Sequence, residues 1–336
     1  MPITSRIAAL GTAFPEGRLS NEELADRFEN WTADKIRLKL GIASRRVLSG
    51  DETPSDIAVQ AARDLFARHA IEPSSVDYLL YCTQAPDYLL PTTACLIHER
   101  LGLGSSAGAV DINQGCSGYI HALALAKGLI ESGVAARVLV LTADGYSRYV
   151  GEDDASVSTL FGDGATATLL DAVDPADPPA GAGEAAARPA VEHFVFGTDG
   201  AGAGQLILRN SAFRRDGDGG PDALHMDGPG VLQFTLREVP RLKDRILALA
   251  GLGIDEVDHV ILHQANRFLL ERLEKKLGLP AGKSLVDMED VGNTVSSTIP
   301  IVLARAVDAG VVRRGHRLLL AGFGVGLSWG GCLLTY

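Results

Sequence analysis

The stretch DINQGCSGYIHALALAKGLIESG, residues 111–133, places one cysteine between an apolar strand and a long apolar helix. The strand is predicted over about Gly108 to Ile112, a turn follows at Gly115, and the helix runs from about Ser117 to Glu131. At a helix start, the dipole and the unpaired N–H groups favour the thiolate, which is the nucleophilic form of cysteine. Cys116 is therefore a candidate nucleophile, and an inert structural cysteine is the alternative.

Composition and charge narrow the class of protein. With 46% hydrophobic and 22% charged residues among 336, the chain is expected to be globular. The net charge of −11 and the lack of a basic face argue against nucleic-acid binding. No apolar run is long enough to span a membrane, and the start MPITSRIAALGTAFPEG does not resemble a signal peptide. The four cysteines lack metal-ligand spacing, so we expect a cytoplasmic enzyme with reduced thiols and no metal.

The two halves of the chain repeat one pattern. The dipeptide Val-Asp at 76–77 precedes the apolar run YLLYC, and at 257–258 it precedes HVILH. Further along, Arg137 begins RVLVLTA and Arg317 begins RLLLAGF, again about 180 residues apart. A shared order at a nearly constant offset predicts a duplicated α/β unit. Chance similarity between strand–helix segments is the alternative.

Strands alternate with helices in both halves, which predicts an α/β fold with mostly parallel, buried sheets. The Pro/Ala/Gly-rich stretch 174–190 is predicted to be a surface linker between an N-terminal half, 1–173, and a C-terminal half, 191–336. Residues 209–223 look like a second long surface excursion.

Further polar residues lie at positions where sites form. His263 ends an apolar strand, at the sheet edge where α/β sites collect, although a surface polar residue is the alternative. Asn293 follows Gly292, and residues 296–298 are suited to cap the next helix, so Asn293 is equally well a turn residue. The glycine-rich loop 322–331, GFGVGLSWGG, lacks the features of a phosphate cradle and is suited to present N–H groups to an oxyanion.

Taken together, these motifs resemble the thiolase superfamily, and most closely its ketoacyl synthase III branch. The resemblance covers nearly the whole chain and implies a five-layered α-β-α-β-α fold made of two duplicated halves, in a homodimer. Its carriers are GCSG around Cys116, HQAN at 263–266, GNT at 292–294 and GFGVGLSWG from Gly322, with support from residues 85–102 and from FGDGA at 161–165.

The resemblance implies a catalytic triad of Cys116, His263 and Asn293, with an oxyanion hole formed by the backbone N–H groups of Cys116 and Val325. An acyl thioester would load Cys116. A malonyl thioester would then lose CO2, and its enolate would attack the acyl group to give a 3-oxoacyl product. The implied substrates are acyl-CoA and a malonyl thioester, the implied partner is an acyl carrier protein, and no cofactor is expected.

The resemblance also implies substrate contacts by Leu90, Lys35, Lys39, Phe323 and Arg267. Leu90 would stand at the pocket end, contributed across the dimer, where it limits acyl-chain length. Relatives that condense without decarboxylation carry a glutamate near this position, so Leu90 argues against that subtype.

The entry region departs from the family pattern. Lys35 and Lys39 replace a tryptophan and an arginine that grip the adenine of coenzyme A, and Ala155 replaces a supporting arginine. Phe268 and Gln233 replace basic residues used for carrier docking. These changes favour a specialised homologue. A replacement patch for phosphate or an acidic carrier and a merely solvated basic face are equally compatible with Lys35, Arg37, Lys39, Arg45 and Arg46.

Three functions compete. The first is decarboxylative condensation in fatty acid or specialised polyketide-type biosynthesis, and the second is acyl transfer from Cys116 to an oxygen or nitrogen of another metabolite. The third is a non-catalytic partner subunit. Retention of Asn293 favours the first function over the second, and retention of Cys116 argues against the third.

Overall fold

The computed structural model describes residues 3–151, 153–173, 189–214 and 223–336. The strands are β1 (Thr4–Ala13), β2 (Arg18–Ser20), β3 (Ser44–Arg46), β4 (Tyr78–Cys82), β5 (Gly108–Ile112), β6 (Arg137–Asp144), β7 (Gly164–Val173), β8 (Ala190–Thr198), β9 (Leu206–Leu208), β10 (Leu224–Met226), β11 (His259–Leu262), β12 (Arg317–Gly324) and β13 (Ser328–Thr335). The helices are α1 (Asn21–Arg27), α2 (Ala33–Leu40), α3 (Pro54–His69), α4 (Thr93–Leu101), α5 (Gly118–Glu131), α6 (Ala155–Ser158), α7 (Gly228–Ala250), α8 (Arg267–Leu277) and α9 (Thr298–Asp308).

Two main sheets share one topology. The first has the strand order β1-β7-β6-β4-β5, and the second has the order β8-β13-β12-β11. In each, two neighbouring strands pair in parallel (β4 with β6, β11 with β12). The second of them pairs antiparallel with the next strand (β6 with β7, β12 with β13), which pairs antiparallel with an edge strand (β1 or β8). A single parallel bridge between Val260 and Ser284 stands where the first sheet has β5. The same order and directions in both sheets are what a duplicated unit produces.

The repeated Val-Asp dipeptides have the same structural role in both halves. The Asp77 carboxylate accepts a hydrogen bond from the Arg137 N–H at 2.9 Å, and the Asp77 N–H donates to the Arg137 carbonyl at 3.0 Å. Asp258 and Arg317 form the same pair of bonds, at 2.7 and 2.8 Å. Each aspartate therefore fixes the start of the neighbouring parallel strand, which explains why the dipeptide recurs.

The layers follow from which helices contact which sheet. Helices α3 and α4 cover the outer face of the first sheet, and α7, with α8 packed beside it, covers the outer face of the second. Helices α5 and α9 contact both sheets and form the central layer. The apolar residues of α5, including Tyr119, Ile120 and Leu123, are fully buried there. The expected α-β-α-β-α fold is confirmed.

Several expected boundaries need correction. Residues 174–188 of the predicted linker lie outside the described residues. Its last residue, Ala190, is already the first residue of β8. The excursion 209–223 is closed at its base, because β9 and β10 pair on either side of it. The glycine-rich stretch 322–331 is not a long loop: β12 and β13 pair up to Gly324 and Ser328. Gly326 at this turn has a φ of 138°, a conformation that favours glycine.

The basic residues expected to form one surface patch are divided by burial. Lys35, Arg37 and Lys39 are exposed on α2, whereas Arg45 is completely buried. Its guanidinium donates to Asn21 Oδ1 at 2.6 Å and to the Thr159 carbonyl at 2.5 and 3.0 Å. Burial lowers the pKa of Arg45 to about 10, which still leaves it charged at neutral pH. Arg45 is therefore a structural clamp and not part of a docking patch.

Replacing Arg45 tests this clamp. Arg45→Ala leaves the Thr159 carbonyl and the Asn21 amide without their partner, so we expect a loss of about 3 kcal/mol of stability. The matched control is Arg37→Ala, which removes an exposed ion pair with Glu289 and should cost less than about 0.5 kcal/mol. Chemical denaturation of both variants measures the difference, and equal midpoints would contradict a structural role for Arg45.

Candidate active site

One cavity of about 460 Å³ brings together the three side chains of the predicted triad. Cys116 lies just before α5, His263 just after β11, and Asn293 in the segment that leads to α9. Cys116 belongs to the first half of the chain, whereas His263 and Asn293 belong to the second. The site therefore forms where the two halves meet.

The Cys116 turn is packed against the end of β12. The Gly118 N–H donates to the Gly115 carbonyl at 2.7 Å, which closes the turn around the cysteine. A Cβ added at Gly322 would lie 2.7 Å from the Cys116 carbonyl oxygen, and one at Gly324 would lie 2.8 Å from Sγ. Glycine is needed at both positions because the backbones approach so closely.

The thiol of Cys116 is almost completely buried, with 4% of the residue exposed. Burial raises its pKa to about 12, while hydrogen bonding by the Val325 N–H acts in the opposite direction. The N–H groups at the helix start favour the thiolate as expected, but desolvation outweighs them in the free chain. The thiol must give up its proton when it attacks. The Val325 contact also places the predicted oxyanion donor beside the sulfur.

His263 is buried and held through its Nδ1 atom. Burial lowers its pKa to about 3, with an opposing backbone contact to Val295, so the ring is neutral at physiological pH. Nδ1 lies 2.7 Å from Thr298 Oγ1, which itself lies 3.1 Å from the Val295 carbonyl oxygen. When the Thr298 hydroxyl donates to Val295, Nδ1 carries the hydrogen and Nε2 has a free lone pair. When the hydroxyl donates to Nδ1, Nε2 carries the hydrogen.

Asn293 is oriented by its own backbone neighbourhood. Its Oδ1 accepts from the Val295 N–H at 3.0 Å, which leaves the Nδ2 group as a donor. Its backbone N–H donates to the Leu160 carbonyl at 2.9 Å, and its carbonyl accepts from the Gly162 N–H at 3.0 Å. These bonds fix the position of a residue that the sequence alone does not distinguish from a turn residue. The next helix is not capped by Ser297 as expected, because that hydroxyl instead contacts Thr142 and Gly164.

Some of the predicted substrate-binding residues line the cavity, and others do not. Lys39 and Phe323 line the cavity, and the Phe323 ring packs edge-on against His263 at 5.6 Å. Arg267 is exposed at the start of α8 and packs against Gly41. Leu90 is 83% exposed and lines no part of this cavity in the single chain.

Three aromatic–cation contacts near the cavity entry were not predicted from the sequence. The ammonium groups of Lys35 and Lys39 both lie over the Trp31 ring, 5.2 and 5.4 Å from its centre. The spacing i, i+4, i+8 was the available signal. Phe268 lines the cavity, and the Arg272 guanidinium lies 3.5 Å from its ring centre. Arg272 therefore places a positive charge beside Phe268, one helical turn further along α8.

A second cavity of about 540 Å³ includes Val325 and Gly326 and shares Leu206 with the first. It is more polar than the first cavity. The Tyr146 hydroxyl donates to Gln84 Oε1 at 2.6 Å and so fixes one of its walls.

The carboxyl group of Asp144 connects this wall to the segment that carries Asn293. It accepts from the Gln84 N–H at 2.7 Å and from the Ser296 hydroxyl at 2.5 Å. Burial raises its pKa to about 7, against the effect of the Ser296 hydrogen bond. Sequence reasoning missed Asp144, although it ends an apolar strand, much as His263 follows one.

Within the described ranges there is no group of three or more His, Cys, Asp or Glu side chains placed to hold a metal ion. Over the same residues, the structure contains no helix of the length and apolarity needed to cross a membrane.

A thiol, an imidazole and a carboxamide converge at the junction of two duplicated sheets, which defines a thiolase-superfamily protein with a cysteine-centred site. Residues 110–185 match the family model for 3-oxoacyl-[acyl-carrier-protein] synthase III, and residues 247–336 match the model for its C-terminal part. The chain is 33% identical over 333 residues to a beta-ketoacyl-[acyl-carrier-protein] synthase III of Neisseria gonorrhoeae, covering 99% of each chain. The chain belongs to the ketoacyl synthase III family.

Solved structures of similar proteins support the same family assignment. A crystal structure of a 3-oxoacyl-(acyl-carrier-protein) synthase III is 46% identical, with a TM-score of 0.92 over 99% of this chain and 100% of that one. The priming beta-ketosynthase of the R1128 polyketide biosynthetic pathway is 31% identical, with a TM-score of 0.89 over 99% and 96%. The likeness thus extends to an enzyme named for 3-oxoacyl-(acyl-carrier-protein) synthesis and to one named for a polyketide pathway.

The hydroxyl of Thr298 is expected to control the tautomer of His263. Thr298→Val keeps the shape but removes the hydrogen-bond partner of Nδ1, so the turnover rate should fall about tenfold or more. Thr298→Ser keeps a hydroxyl and should retain most of the rate. Steady-state kinetics of the two variants give the comparison, and a Val variant as active as the Ser variant would exclude this role.

The buried imidazole of His263 should also make stability depend on pH. Its pKa is about 3 in the folded chain and has an ordinary value of 6.5, so the unfolded chain binds the proton more readily. Stability is therefore full above pH 6.5 and is lost as the pH falls toward 3. Between about pH 7 and 4, the thermal midpoint should fall more steeply for the wild type than for His263→Asn. Parallel slopes would show that His263 is not buried in its neutral form.

Proposed function

We propose that this chain catalyses decarboxylative condensation between an acyl thioester and a malonyl thioester, with Cys116 as the acyl carrier. The observation that carries the proposal is the shared cavity of Cys116, His263 and Asn293, with the Val325 N–H beside the sulfur. Family membership adds support, because the relatives are named for synthesis of 3-oxoacyl products on acyl carrier protein.

In the loading step, Cys116 gives its proton to the lone pair on Nε2 of His263, and the sulfur attacks the thioester carbonyl. Negative charge develops on the carbonyl oxygen, where the N–H groups of Cys116 and Val325 stabilise it. The tetrahedral intermediate collapses, the carbon–sulfur bond of the donor breaks, and the proton passes from His263 to the leaving thiol. The product is an acyl-cysteine and a neutral imidazole.

In the condensation step, the carbon–carbon bond to the malonyl carboxylate breaks, CO2 leaves, and its electron pair forms an enolate. Asn293 Nδ2 and, in its other tautomer, His263 Nε2–H donate to the thioester oxygen of that enolate. The enolate carbon attacks the acyl-cysteine carbonyl, the carbon–sulfur bond to Cys116 breaks, and the released thiolate takes up a proton from solvent to restore the thiol. Each step moves only protons and electron pairs, so the reaction needs no redox cofactor.

Acyl-CoA and an acyl carrier protein are the substrates and partner that we propose. Lys35 and Lys39 stand at the entry, where they would bind the phosphates of coenzyme A. A shallow surface pocket on α7 and α8 is lined by Gln233, Arg237, Arg241 and Lys276, among others. An acidic carrier protein would dock there through local charge, although the chain as a whole carries −11.

We also propose a homodimer. β5 is the outermost strand of the first sheet, and its Val110 is exposed. Leu125 and Phe196 add exposed apolar surface. An unpaired apolar edge strand normally needs cover, and a second copy would supply it. The exposed Leu90 would then reach the acyl pocket of the partner chain.

Release of CO2 tests condensation directly. Wild type incubated with an acyl-CoA and a carboxyl-labelled malonyl thioester should release labelled CO2 and form a 3-oxoacyl product. Cys116→Ser should abolish product, and Asn293→Ala should lower the rate about 100-fold or more through loss of an enolate donor. Formation of an acylated oxygen or nitrogen acceptor without CO2 would instead establish acyl transfer.

A further inference from the structure

One face of α7 forms a wall of the active-site cavity. Gly228, Val231, Leu232 and Thr235 line it at the helical spacing i, i+3, i+4 and i+7. Gly228 is the first residue of the helix, and Thr235 is fully buried about 10 Å further along the axis. This face of α7 therefore presents one hydroxyl group beyond its apolar side chains.

The Thr235 hydroxyl has no hydrogen-bond partner among the described residues. A threonine within a helix commonly bonds to the carbonyl four residues earlier, and Thr235 does not. The two asparagines of the cavity wall each have a partner within the chain: Asn266 Oδ1 accepts from the Leu269 N–H, and Asn293 Oδ1 accepts from the Val295 N–H. An unpaired buried hydroxyl costs about 1–3 kcal/mol, and valine would fill the same space without that cost. The unpaired Thr235 hydroxyl therefore points to a hydrogen-bond partner that a ligand supplies.

We propose that the Thr235 hydroxyl binds a polar group of the pantetheine arm of the thioester substrate. This inference rests on the proposed function. The arm is shared by coenzyme A and acyl carrier protein, and it places two amides and one hydroxyl along an otherwise apolar chain. Apolar side chains such as Leu206, Val231 and Phe323 suit the methylenes of the arm. A threonine hydroxyl both donates and accepts, so it suits either side of an amide.

Thr235→Val and Thr235→Ser form the matched pair that tests this contact. The valine variant should raise KM for acyl-pantetheine about tenfold, the value of one hydrogen bond, with the loss falling on KM and not on kcat. Its thermal midpoint should equal or exceed that of the wild type, because an unpaired polar group has been removed. The serine variant should keep the KM of the wild type. A valine variant with unchanged KM overturns the proposal.

Truncated and natural donors locate the partner group. N-acetylcysteamine thioesters contain only the amide nearest the sulfur. If Thr235→Val raises KM both for these thioesters and for acyl-pantetheine, the hydroxyl binds that amide. If KM rises only for acyl-pantetheine, the partner is the distal amide or the hydroxyl group of the pantetheine arm. Thr235→Val should raise KM equally for acyl-CoA and for acyl carrier protein donors. A rise with only one of them contradicts a contact to the arm that they share. Failure of the proposed function looks different, because the wild type would then condense no thioester at all.

Discussion

The active site depends on the close approach of two backbone segments, the turn that carries Cys116 and the end of β12. Gly322 and Gly324 allow contact at a distance that no side chain tolerates. This contact brings the Val325 N–H to the sulfur and joins the two halves of the chain across the central helices. The duplicated sheets serve to hold these segments in place, since each half supplies only part of the site.

Burial sets the electrostatics of the site. It raises the pKa of Cys116 to about 12 and lowers the pKa of His263 to about 3, so both groups are neutral at rest. Charge then develops only when a thioester is present, in a place where fixed N–H donors face it. In a poorly solvated cavity such donors are worth more than in water.

Much of the fold was predictable from apolar patterns. The strands YLLYC and GAVDI match β4 and β5, and helix α5 begins one residue later than expected, because long apolar segments carry a strong periodic signal. The repeated aspartates 77 and 258 pointed to a duplication, and both sheets have the same topology.

The chemistry of single residues was less predictable. Asn293 looks like a turn residue, and its bond to the Val295 N–H is a turn contact, but its side chain also lines the cavity with Cys116 and His263. Arg45 reads as a surface charge, and the helix start favours a thiolate at Cys116. In each case tertiary burial decides the outcome, and burial depends on distant segments that local sequence does not reveal. Family resemblance supplied the triad, but it gave no indication of Trp31, Asp144 or the unpaired Thr235 hydroxyl.

Intact-mass spectrometry after mixing the protein with a panel of acyl-CoA donors tests the central claim most directly. We expect at least one donor to add the mass of its acyl group, and peptide mapping to place it on Cys116. The adduct should disappear in Cys116→Ser and persist in Cys95→Ser, which removes an exposed thiol. An adduct that maps to Cys95, or no adduct with any donor, would contradict Cys116 as the acyl carrier.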